Sequence, residues 1–156
     1  MRSLVWGLRL AATVTALAVA TAVAGGALAQ SRVPGELALE ALVKAMLLSF
    51  NDANVTRNYT VFHAKLSKPF RQQFTPEKLQ ETFKTFAEKD IDFDIIGAYK
   101  PVYDPAPKVG GDGRLLVGGY FPTEPVRVVF DMQFIPSDGE WKLISINVKT
   151  ERAPSK

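Results

Sequence analysis

Apolar residues recur along this chain with two different periods, and the change between them divides it. In residues 35–51, Leu39, Leu42, Val43, Met46, Leu47 and Phe50 fall at i, i+3, i+4, i+7, i+8 and i+11. That is one broad stripe of an amphipathic helix, with Glu36, Glu40, Lys44 and Asn51 assigned to its wet side. Asp52, Asn54 and Asn58 interrupt the stripe. A second helix over 59–66 follows, with Asn58 as its N-cap and Tyr59, Phe62, His63 and Leu66 on its inner face. Ser67-Lys68-Pro69 stops it, and 70–74 has room for one more turn. Thr75 then reads as an N-cap, with Pro76 at the first helical position and Glu77 in the first turn. Leu79, Phe83, Phe86 and Ala87 form the stripe of this third helix, which ends near Lys89-Asp90.

From here the period is two. Ile91, Phe93 and Ile95 alternate with Asp92 and Asp94, which predicts a strand extending toward Lys100. Residues 101–113, rich in proline and glycine, are expected as loop, 114–121 as a second strand and 122–125 as a turn. The clearest pattern lies in 126–150. Val126, Val128, Phe130, Met132 and Phe134 alternate with Arg127, Val129, Asp131 and Gln133. Asp138-Gly139 makes a hairpin turn, and Ile144, Ile146 and Val148 share a face of the returning strand, with Lys142 at its start. The order is three helices, then a four-stranded antiparallel sheet with helices on one face, an α+β domain. Trp141 and Leu143 share one parity, and Tyr120, Val129 and Ile135 fall off the main apolar stripes, so the second face of the sheet is expected to be partly apolar. A second copy of the chain covering it, as a homodimer, would bury that face.

Composition and charge change this picture at the start of the chain. Arg2 and Arg9 precede an apolar run over 10–24, and Ala27-Leu28-Ala29 fits a cleavage site, so 1–29 reads as a signal peptide cut after Ala29. The uncharged stretch has the ~20 residues a membrane span needs, but Gly25, Gly26 and the alanine-rich make-up favour cleavage. The expected product is periplasmic or secreted in the bacterial manner, one domain over 30–151 with a polar, disordered tail at 152–156. Removing Arg2 and Arg9 from the 19 basic residues leaves 17 against 16 acidic, a net of +1. No nucleic-acid footprint remains, and no membrane span is expected after cleavage. The absence of cysteine excludes disulfides, thiol nucleophiles and cysteine-ligated metals.

Helices before the sheet, and the closing Asp138-Gly139-Glu140-Trp141-Lys142-Leu143-Ile144, resemble the nuclear transport factor two-like superfamily of cystatin-like cone folds. Leu66-Ser67-Lys68-Pro69-Phe70-Arg71 is similar to exported bacterial members. The resemblance implies a sheet curved around the helices with a cone-shaped pocket, but no particular reaction. The early hairpin that many catalytic members carry is missing.

Candidate chemistry is sparse. His63 is the single histidine. It reads either as a satisfied inward-facing residue or as a general base working with Tyr59 or Tyr99, in the manner of the dehydratases, isomerases and cyclases that the resemblance brings in. Asp131 has the wrong parity to join it. Asp92 and Asp94 share one face of the expected strand and read as solvated edge charges. Gly110-Gly111-Asp112-Gly113 lacks the lysine and following helix of a phosphate loop. Gly118-Gly119 inside a strand marks a bulge or bend. Asn54-Val55-Thr56 and Asn58-Tyr59-Thr60 match the glycosylation pattern and read as helix punctuation. No catalytic set, cofactor motif or metal-ligand spacing emerges. The expected function is an exported, non-catalytic domain that binds a small apolar ligand or a protein partner, its pocket drawn from Tyr59, Phe62, His63, Phe83, Tyr99 and Phe130.

Overall fold

The structure, a computed structural model, describes residues 32–154. The expected signal peptide, its expected cleavage site after Ala29 and the last two residues of the expected tail lie outside the described residues. Among the described residues, five helices precede the sheet: α1 (Glu36–Thr56), α2 (Thr60–Lys65), α3 (Lys68–Gln73), α4 (Pro76–Thr82) and α5 (Lys84–Glu88). A 3-10 helix (Asp94–Ala98) leads to β1 (Val102–Tyr103), β2 (Lys108–Val109), β3 (Leu115–Phe121), β4 (Val126–Ser137) and β5 (Glu140–Arg152). The sheet is antiparallel and five-stranded in the order β1-β3-β4-β5, with β2 also pairing β3. The domain is α+β with more helices and one more strand than the periodicity predicts.

The first stripe packs as expected: Leu39, Val43, Leu47 and Phe50 are buried, and Leu42 and Met46 are half-buried. The helix, however, continues five residues past Asn51. Asn51 is 2% exposed, not on the wet side. Its amide nitrogen donates to Asp92 Oδ1 (2.6 Å), and its Oδ1 accepts from the backbone N–H of Phe93 (3.0 Å). Asn54 is buried too, donating to the carbonyl of Phe50 (2.9 Å) and accepting from the Tyr59 hydroxyl. Both side chains find partners, so burial costs them little and the helix runs on. It stops at Arg57, which is left-handed (φ 56°).

Thr75 does cap α4, accepting from the N–H of Lys78 (3.3 Å). The expected third helix is broken at Phe83 (φ −104°, ψ 13°) into α4 and α5, and the single further turn allowed for over 70–74 is a short helix of its own, α3, starting at Lys68. The strand predicted over 91–95 is absent. Asp92 Oδ1 also accepts from the N–H of Asp94 (3.1 Å), a local bond that turns the chain into the 3-10 helix and buries Phe93 and Ile96 on the same side. Residues 101–113 are not all loop, because β1 pairs Val102 with Tyr120 and β2 pairs Lys108 with Leu116. Gly119 permits the first pairing: a Cβ there would collide with the carbonyl oxygen of Val102. The Gly110–Gly113 segment closes the β2–β3 turn, Gly110 donating to the carbonyl of Arg114 (2.8 Å).

The β4–β5 hairpin turns at Asp138 (φ 53°) and Gly139 (φ 80°), as its sequence predicts. Its register then slips. Gln133 pairs with Ser145 but Phe134 pairs with Leu143, so Ile144 is an extra residue. The slip reverses parity for the start of β5. Leu143, buried, lies with Phe134 on the helix side, and Trp141 joins it opposite Pro136. Lys142 instead pairs with Ile135 on the other face. The expected grouping of Trp141 and Leu143 on the outer face is therefore corrected. Arg152, expected in the tail, pairs with Val126, and the N–H of Ala153 donates to the carbonyl of Pro125 (2.9 Å).

One hydrophobic core lies between the helices and the inner face of the sheet. Phe50 sits at its centre, with ring centroids 4.8 Å from Phe83, 5.3 Å from Phe86 and 5.5 Å from Phe62, two of them edge-on. The edge of β5 near the hairpin is partly covered, because Ser67 donates its N–H to the carbonyl of Leu143 (2.9 Å).

Candidate ligand-binding site

The six residues expected to line a cone pocket are not gathered around one space. Phe62 and Phe130 are core residues, the latter against Phe121 (5.5 Å) and Tyr103 (6.5 Å). Tyr59 is 3% exposed and stacks with Phe83 at 6.4 Å; its hydroxyl donates to Asn54, and burial pushes its pKa well above the usual phenol value. Tyr99 is 37% exposed at the end of the 3-10 helix. His63, on α2, is half-buried, with Nε2 3.4 Å from the carbonyl oxygen of Arg71. Asp131 is exposed on the opposite side of the sheet, between Gly118 and Asn147 in the register. The sheet therefore separates Asp131 from His63.

Several surface depressions surround the core, among them a small one of about 260 Å³ beside Phe86 and Asp92 and three larger ones. Tyr59 and Phe83 border a hollow of about 430 Å³ with Arg57, Glu77, Gln80 and Lys84, a mixed-charge rim in which Lys84 is already paired to Glu81 at 2.8 Å. Glu77 is held below the usual carboxylate pKa by hydrogen bonds from its own backbone N–H and the Thr75 side chain. A second hollow of about 350 Å³ lies on the outer face of the sheet, floored by Gly118, where no side chain fills the space between Asp104 and Asp131. Its far rim is a tight ionic cluster. Arg127 and Lys149 both pair with Glu151 (2.9 and 2.6 Å), and the Arg127 guanidinium lies 4.9 Å over the Tyr120 ring. Hydrogen bonds from Lys149 and Arg127 hold the Glu151 pKa down. These groups satisfy one another.

The third hollow differs in kind. It measures about 420 Å³ and lies between the first half of α1 and the tip of the β4–β5 hairpin, bordered by Pro34, Ala38, Leu42, Met46, Trp141, Glu140, Lys142 and Lys65. Its walls are apolar because α1 carries two apolar stripes. Leu39, Val43 and Leu47 point into the core, while Ala38, Leu42 and Met46, one position off, face the hairpin. Trp141 reaches this side through the register slip at Ile144, which sequence periodicity does not reveal. Along the outward side of α1, Leu37 is 79% exposed and Ala41 and Ala45 are exposed.

No family model, curated protein or solved structure matches the chain. Among the described residues, no helix is long and apolar enough to cross a membrane, and no group of three or more histidine, aspartate and glutamate side chains is placed to hold a metal ion.

Proposed function

We propose that this chain is an exported, non-catalytic domain that binds a small apolar ligand in the hollow between α1 and the hairpin tip. One observation carries the reading: a half-buried tryptophan and two half-buried aliphatic side chains, Leu42 and Met46, line an open space of about 420 Å³. Ligand sites are typically concave, mainly apolar and about 300–1,000 Å³. The two hollows described before it are bordered by more charged side chains, among them the paired Lys84–Glu81 and Arg127–Glu151–Lys149 groups, which favours the third for an apolar ligand. Export follows from the leader read in 1–29. Kinship with the cone folds is part of the same proposal, supported by helices that precede a bent antiparallel sheet. The filled interior moves the binding site from the cone to its margin.

Trp141 makes the test direct, since the only other tryptophan, Trp6, falls within the expected leader. The processed protein is titrated with a neutral apolar dye, N-phenyl-1-naphthylamine, and energy transfer from Trp141 is followed. Saturable transfer that Met46→Gln weakens at least fivefold is the expected result. Absence of saturable transfer overturns the reading.

A further inference from the structure

Apolar walls settle what the body of a ligand is made of but leave open how it is oriented. The rim carries that information. On the hairpin side, Lys142 is answered by Glu140, with Nζ 2.5 Å from Oε2. On the α2 side, Lys65 is exposed, and none of the ion pairs among the described residues involves it. A lysine in the last turn of a helix commonly serves the unpaired carbonyls there. In α2 that work falls to Arg71 instead, whose guanidinium donates to the carbonyl oxygens of Leu66 (2.7 Å) and Ala64 (3.2 Å). The helix end is thus satisfied without Lys65, an exposed lysine on the border of an apolar hollow.

We infer that the ligand is a single-chain anionic amphiphile, a monomeric long-chain carboxylate, its hydrocarbon against Leu42, Met46 and Trp141 and its carboxylate at Lys65. This rests on the reading of the hollow as a ligand site and adds the headgroup and its position. Two lysines against one glutamate leave the rim net positive, so an anion is attracted and a cation is not. Lys142 contributes less, because binding an anion there competes with Glu140.

The experiment compares dodecanoate, below its micelle concentration, with dodecanol, reading Trp141 emission of the processed protein at low ionic strength. Dodecanoate is expected to bind about three- to fivefold more tightly, the scale of one exposed ion pair, and the difference should shrink at about 0.5 M salt. Lys65→Gln should bring the two ligands within about twofold, with an unchanged denaturation midpoint showing that the variant is folded. Lys142→Gln should change the ratio less. Equal binding of dodecanoate and dodecanol to the unaltered protein overturns the carboxylate inference and leaves the apolar site standing. Failure of both ligands to bind removes both. A response to phosphatidylglycerol vesicles without one to dodecanoate overturns the inference in favour of a membrane surface.

Discussion

Two regions of this molecule are built from the same kinds of residue and differ in enclosure. Around Phe50, which is fully buried, aromatic rings from α1, α2, α5 and the segment before the 3-10 helix pack at centroid distances of 5.3 to 6.3 Å. Around Trp141, leucine, methionine and tryptophan line a space that is open on one side. Hydrophobic pattern identifies a face but not what covers it. The first region is a core because Phe62, Phe83, Phe86 and Phe93 all close on one ring. The second has α1 on one side and a hairpin tip on the other, with nothing over the gap among the described residues.

The comparison breaks most sharply on truncation. Phe50→Ala removes a fully buried ring and is expected to destabilise the fold by about 3–5 kcal/mol. Met46→Ala, one helical turn away on the open side, should cost less than half as much, because its side chain already meets solvent. Chemical denaturation of the two variants is the measurement. Equal losses would mean that the hollow is as enclosed as the core, and the ligand site would lose its basis.

Enclosure on the Phe50 side also depends on a polar clamp. Asn51 ties α1 to Asp92 and to the N–H of Phe93, so Phe93 is held against Phe50 at a centroid distance of 6.3 Å. Asn51→Ala leaves that buried N–H without its acceptor, and a loss of about 1–3 kcal/mol is expected. Asn51→Asp keeps the acceptor but sets a second carboxylate against Asp92, so it should also destabilise. Hydrogen exchange at Phe93 would report the local part of the effect.

This contrast also explains what could be read in advance. The Asp138-Gly139 turn, the Thr75 cap and the alternation from Val126 to Phe134 depend on neighbours in sequence, and each is found where its pattern points. The features that depend on distant partners were not legible. Asn51 looks like a surface residue until Asp92 is brought to it. Asp92 looks like a strand residue until its carboxylate bonds the Asp94 N–H. β1 and β2 are two residues each and exist only because β3 offers them a backbone. None of the six residues expected to line a pocket borders the hollow beside Trp141; Leu42 and Met46 stand out in the sequence only as part of the helical stripe, and one extra residue, Ile144, decides that Trp141 faces α1. Parity counted along the strand cannot detect a slip whose evidence is on the neighbouring strand.

The smallest effect tests how closed the margin of the core is near β1. Burial, with smaller contributions from Glu40 and Glu36, pushes the Tyr103 pKa up to about 12, and its hydroxyl has no hydrogen-bond partner among the described residues. Tyr59 is shifted upward as well, but its hydroxyl is bonded to Asn54. In the unfolded chain both phenols ionise near pH 10. Above that pH the unfolded state loses protons that the native state retains, so stability is complete below pH 10 and falls as pH rises toward 12. Each phenol contributes a slope of at most about 1.4 kcal/mol per pH unit. Tyr103→Phe gives up no hydrogen bond, so it should be near neutral at pH 7 and should flatten the alkaline decline. Tyr59→Phe should flatten it too, but at a cost near pH 7 of about 1 kcal/mol for the bond to Asn54. Denaturation midpoints between pH 8 and 11 separate the two. An unchanged alkaline slope in Tyr103→Phe would mean that this side of the core is as open to water as the hollow beside Trp141.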